Sequence, residues 1–82
     1  NKSKLNLKKH GIDFDEAQKI WDDDESLTLQ ARTIDGEVRL AQIGKIKDKL
    51  WTAIFTYRND NIRIISCRSS REKEKKLYEE NQ

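Results

Sequence analysis

Four runs in which apolar residues recur at every second position occupy the middle of the chain, and they constrain the fold more than any other feature. "SLTLQAR" (residues 26–32) alternates apolar and polar side chains, as a half-buried strand does, and "EVRLAQIG" (37–44) follows it across Asp35-Gly36. An Asp-Gly pair between two such runs signals a hairpin, because the two-residue turns that match strand twist need positive φ. "LWTAIFTYR" (50–58) and "NIRIISCR" (61–68) are richer in β-branched and aromatic residues and meet at Asn59-Asp60-Asn61, a turn-forming cluster. With apolar residues on both faces, these last two runs are expected at the centre of a sheet.

The flanks change period. Residues 2–10 read as a short helix whose apolar contacts are Leu5 and Leu7, ended by Gly11 in a left-handed cap. Asp13 with Glu16 three residues later forms a capping box, and Phe14, Ala17, Ile20 and Trp21 then recur at helical spacing, predicting a helix over 14–22. "DDDES" returns the chain to a solvated loop. Ser69 with Glu72 makes a second capping box ahead of "REKEKKLYEE", a helix with only Leu77 and Tyr78 to anchor it. The expected architecture is α+β: a small antiparallel four-stranded sheet with two N-terminal helices and one C-terminal helix.

At 82 residues, with 34% hydrophobic and 39% charged residues, this reads as one domain over 1–82 with a thin core. Its net charge of +2 is unevenly spread: residues 1–12 hold four lysines and no acid, whereas 13–25 hold seven acids against Lys19. A cationic face can form if the acidic loop points away from it. Cys67 alone excludes an internal disulfide and reads as a buried filler, and no Cys/His pairing suggests zinc. No cofactor or metal is expected. No signal peptide or membrane-length apolar run occurs in these residues, so a reducing cytoplasm is the expected setting.

Serine hydrolase, phosphate-loop and carboxylate-metal patterns are missing. What remains is a set of cations: Lys8, Lys9, His10, Arg39, Arg63, Arg68 and Arg71. Arg63 interrupts an apolar strand, so its charge must reach water, a carboxylate such as Glu37 or Glu74, or a phosphate. Arg39 poses the same choice, and alternation puts it on one face with Ala41 and Ile43. His10 suits a helix C-terminus, where the dipole favours a cation. Imidazole is equally the side chain best fitted to exchange protons near neutrality. Both readings of His10 stay open at this point.

Three segments, in order, resemble the BrnT-type toxins of bacterial type II toxin–antitoxin systems. "NLKKHGIDFDEA" resembles that family's Asn-Leu-x-Lys-His-Gly-[Ile/Val]-x-Phe-x-x-Ala signature. "GEVRLAQIG" resembles its Glu-x-Arg…Ile-Gly strand, and "RIISCRSSREKEKKLY" its Arg-Ile-Ile-Ser-Ala-Arg segment with the Glu and Tyr that follow. The likeness runs from Asn6 to Tyr78. Cys67 and Ser70 stand where the family more often has alanine, and the short aromatic strand that usually opens it is expected to be absent.

The resemblance implies a RelE-like fold, RNA cleavage that arrests translation, and neutralisation by a BrnA-like ribbon-helix-helix antitoxin, through which alone the pair would reach operator DNA. Metal-free RNA cleavage needs a proton acceptor, a proton donor and cations around the phosphate. His10 is expected in the acid/base role, assisted by Lys9 or Tyr78. Arg39, Arg63 and Arg68 would hold the phosphate, with Lys8 and Arg71 as further RNA contacts. Two non-catalytic readings compete: an RNA- or ribosome-binding module, and a protein-interaction module completed by its partner.

Overall fold

The computed structural model describes all 82 residues and has the expected α+β architecture. Helix α1 (Lys2–His10) and helix α2 (Phe14–Ala17) precede a 3-10 segment, Gln18–Asp22. Strands β1 (Leu27–Ile34), β2 (Glu37–Ile46), β3 (Lys49–Arg58) and β4 (Asn61–Ser69) form one antiparallel meander in sequence order, and helix α3 (Glu72–Glu80) closes the chain. The helix expected over 14–22 is therefore α-helical only in its first turn.

The turns form where the sequence placed them. Asp35 and Gly36 have φ of 50° and 79°, and Asn59 and Asp60 have 54° and 67°. These positive values suit tight hairpins and are tolerated best by Gly, Asn and Asp. A third turn, which the sequence did not announce, is set at Lys47, with φ of 57°.

One sheet face carries the core. Ala53, Phe55 and Trp51 of β3, Ile46 of β2 and Cys67 of β4 meet Ile12, Ala17, Ile20 and Trp21 from the N-terminal segments. The Trp21 and Phe55 rings pack edge to face with centroids 5.1 Å apart, a favourable aromatic geometry. Gly44 lets the 3-10 segment lie directly on β2: a Cβ there would stand 2.8 Å from Ile20 Cγ2 and 2.9 Å from the Ile20 carbonyl oxygen.

Three expectations need correction. β4 is an edge strand, and the central pair is β2 and β3. The outer edge of β4 is sealed by α1 instead of a fifth strand. Asn6, buried at 6% exposure, accepts from the Cys67 N–H at 3.1 Å and donates to the carbonyls of Cys67 (2.9 Å) and Ile12 (2.7 Å). Second, Leu5 and Leu7 are exposed, so α1 docks through an amide where two leucines were expected to hold it. Third, α3 begins at Glu72 with Arg71 at its N-cap. Ser70 cannot start it because its N–H still bonds the Leu50 carbonyl and its hydroxyl bonds Thr52, which prolongs the strand geometry.

Helix α3 lies over one end of the opposite sheet face. Tyr78, its only buried residue, donates its hydroxyl to Asp23 at 2.7 Å. Asp23 also accepts from the Lys45 and Glu25 N–H groups. Burial works against the Asp23 charge, but these three hydrogen bonds hold its carboxyl below the usual range. The acidic loop is thus tied down at Asp23. No helix is long and apolar enough to cross a membrane.

Candidate functional site

The face under α3 divides into rows that run across the strands. Nearest α3 lie Leu27, Ile43, Thr52 and Arg68; next come Leu29, Ala41, Ile54 and Ser66. Beyond them, farther from α3, lie the exposed Arg32, the half-buried Arg39 and Arg63, and the buried Thr56. Arg32 pairs with Arg39, Thr56 pairs with Arg63, and the β2–β3 register sets Arg39 beside Thr56. At ordinary strand spacing the row spans about 14 Å.

Two β-bulges assemble these rows. The β3–β4 register shifts between Ile54 and Phe55, so that Ile54 pairs with Ser66 while Phe55 pairs with Ile64, leaving Ile65 as the extra residue. Strict alternation would place Arg63 and Arg68 on opposite faces; the bulge brings both to one. A second shift, between Gln30 and Arg32, leaves Ala31 unpaired and turns Arg32 towards Arg39.

The arginines are sparsely neutralised. Arg39 lies 4.0 Å from the Glu37 carboxylate, beyond hydrogen-bond range, and Glu37 also faces Arg58 at 3.8 Å. The Arg39 Nε is buried without a hydrogen-bond partner. Arg32 and Arg63 pair with no carboxylate, so neither Glu37 nor Glu74 serves as the structural partner weighed for Arg63. Cationic neighbours directly opposite each other destabilise a sheet unless an anion joins them.

His10 and Lys9 lie at the margin of this face. With Lys2, Leu5, Asn6, Ile65 and Ser66 they line a shallow concavity of about 200 Å³ along the β4 edge. Ser66 belongs to the row next to Arg63, which makes the concavity the flank of the arginine row. His10 also ends α1, and Gly11 behind it has φ of 81° and donates to the Leu7 carbonyl. Its two readings, helix end and flank of a cationic site, are compatible. Lys8 is exposed and lines no part of the concavity.

The remaining sequence-predicted residues lie apart. Arg68 forms a two-pronged pair with Glu74, at 2.7 and 2.9 Å, and Glu74 also accepts from the Thr52 hydroxyl and the Arg71 N–H. Burial alone would raise the Glu74 carboxyl, yet the hydrogen bonds, that of Arg68 foremost, and the Arg68 charge hold it at about 2. Arg71 is the exposed first cap of α3. Burial and the hydrogen bond to Asp23 push the Tyr78 phenol up to about 12, which leaves it a poor proton donor at neutral pH. Burial likewise pushes the Cys67 thiol up to about 12, as suits an inert filler.

Sequence reasoning missed Arg32, Thr56 and Ser66. The signal was a matter of register, since period-2 counting puts Arg32 with Thr28 and Gln30 on the other face.

The sequence model of the family described as "Ribonuclease toxin, BrnT, of type II toxin-antitoxin system" matches residues 1–74. No curated protein matches the chain.

Proposed function

The chain belongs to the BrnT family of ribonuclease toxins of type II toxin–antitoxin systems, and from that premise we propose that it is a metal-independent endoribonuclease whose active site is the arginine row with its His10 flank. The observation that supports this best is Arg39 and Arg63 on one open face, the first with a buried unpaired Nε and the second with no carboxylate partner. Such a pair has the planar donors that a phosphate's oxygens need.

In this reading the RNA phosphate lies across Arg39 and Arg63. The adjacent 2′-hydroxyl oxygen forms a bond to phosphorus as the P–O5′ bond breaks. His10 accepts the 2′-hydroxyl proton, and Lys9 or water supplies one to the departing 5′-oxygen. The products are a 2′,3′-cyclic phosphate and a free 5′-hydroxyl. The arginines stabilise the charge that gathers on the phosphorane-like transition state. Arg68, held by Glu74, keeps α3 in place beside the site, and Tyr78 does the same at the far end of that helix. Lys8 and Arg71 extend the basic surface.

The family membership implies an antitoxin partner. We assign it a BrnA-like ribbon-helix-helix protein, with cytoplasmic RNA, free or ribosome-associated, as substrate and arrested translation as the outcome.

The test is cleavage of a defined RNA in EDTA by the wild type, H10A, R39A and R63A, each checked for folding by circular dichroism. Loss of the acid/base group is expected to slow cutting by about 10²-fold or more, with products ending in cyclic phosphate. Full activity in H10A removes His10 from the mechanism. Activity that needs a divalent ion overturns metal independence. Salt-sensitive binding without any cutting would favour the RNA-binding module instead.

A further inference from the structure

The bulge at Ala31 has an effect beyond bending an edge strand. Leu27 and Leu29 face the α3 side of the sheet, and uninterrupted alternation would send Arg32 to the opposite side with Thr28 and Gln30. The unpaired Ala31 restores Arg32 to the α3 side, directly opposite Arg39. Charged residues and bulges on edge strands also prevent strands of different molecules from pairing. That purpose is met by an arginine on either face, and the other face would spare it the repulsion of Arg39.

Resting on the functional reading above, we propose that Arg32 is a substrate-binding residue that holds a second phosphate of single-stranded RNA, on the β1 side of the phosphate lying on Arg39 and Arg63. The row is long enough for this, since a stacked strand carries one phosphate per about 3.4 Å and an extended strand spaces them further. Beside it the half-buried Leu29 and Ile54 flank Ala41 to form an apolar strip. An unpaired base can lay its face on that strip, whereas the base faces of a duplex are already stacked. The RNA then crosses the strands from the Lys9–His10 flank at β4 to Arg32 at β1.

The test uses a 2′-O-methyl RNA oligonucleotide, which lacks the attacking hydroxyl, with binding followed by fluorescence anisotropy over a salt series. The variants are Arg32→Ala and the charge-preserving double variant Arg32→Ala/Gln30→Arg, which moves the cation to the other face. Both positions are exposed. Arg32→Ala is expected to weaken binding by about 3–5-fold and to lower the salt slope by about 0.7, the value for one phosphate on a single strand. The double variant should bind like Arg32→Ala.

An unchanged slope, or binding restored by Gln30→Arg, overturns the proposal, the second by showing that net charge alone is at work. All-ribose RNA run in parallel separates the two readings. RNA that is cut normally by Arg32→Ala with no rise in KM sinks the role of Arg32 alone. RNA that is bound but never cut sinks the nuclease reading, and the slope then decides Arg32 by itself. No binding by the wild type at the lowest salt overturns both.

Discussion

Replacing Glu74 with glutamine should unfasten α3 in a way that acid conceals. The wild-type carboxylate accepts from Arg68, Thr52 and the Arg71 N–H, while the amide oxygen of glutamine keeps an acceptor and loses the charge. A carboxyl moved from its ordinary 4.5 to about 2 has an upper-limit worth of about 3 kcal/mol. Solvent screens part of it, because the Arg68 and Glu74 side chains are 22% and 17% exposed, leaving about 1–2 kcal/mol. Arg68 without its partner adds to the loss, so about 2 kcal/mol is expected at pH 7.

The sign of the pH dependence follows from the lowered carboxyl. The unfolded chain binds this proton first, so the stabilisation is complete above about pH 5 and fades as pH falls from the ordinary value towards about 2. Urea unfolding followed by the fluorescence of Trp21 and Trp51 measures it. The gap between wild type and Glu74→Gln should be about 2 kcal/mol at pH 7 and roughly half that at pH 3. A gap that stays constant over this window, or widens in acid, refutes the electrostatic account of how α3 is held.

Three further outcomes follow from the same geometry. Asn6→Leu leaves the Cys67 N–H and the carbonyls of Cys67 and Ile12 unpaired, so it should cost about 2–4 kcal/mol and strip the Cys67 amide of its protection from hydrogen exchange. Gly44→Ala drives a methyl into the Ile20 side chain and carbonyl, and thermal unfolding should show a loss of about 1–3 kcal/mol. Arg39→Met removes a buried unpaired donor and the like charge facing Arg32. It should stabilise the chain by about 1 kcal/mol, raising Tm by about 4–8 °C, while abolishing RNA cleavage.

The strands, two of the three tight turns and the helix-forming segments were legible because each rests on a short-range cause: alternation, a positive-φ residue, a capping acid. What failed to show in the sequence depends on register. Arg63 and Arg68 differ by an odd number of positions and still share a face, because Ile65 is extra; Arg32 joins them because Ala31 is extra. Nothing in "TLQARTI" or "RIISCR" marks the residue that drops out of the ladder. The sequence also made β4 central because both its faces are apolar, when one asparagine sixty-one positions away seals its edge. Ser69 and Glu72 made a good capping box on paper, but Ser70 was already committed to Leu50 and Thr52.

The placement of Arg39 bears on why so thin a core suffices. The face under the N-terminal helices is closely packed, with Ala17, Ile20, Ala53 and Cys67 fully enclosed and Phe55 nearly so, and the α3 side adds a smaller buried patch of Ala41, Ile43 and Thr52. That side is covered only where α3 crosses it, leaving the arginine row outside the helix at a cost in repulsion. A small domain has little stability to spare, so sites of this kind are tolerated where the element that positions them is anchored independently. Here the strand ladders position the row, and Glu74 and Asp23 anchor α3 over the rest of that face through charge-assisted hydrogen bonds at opposite ends of the helix. An anion that joins Arg39 to its neighbours should then raise stability as well as occupy the site, since it binds only the folded row. The same anion should raise the stability of Arg39→Met less, which distinguishes relief of the row from general salt screening.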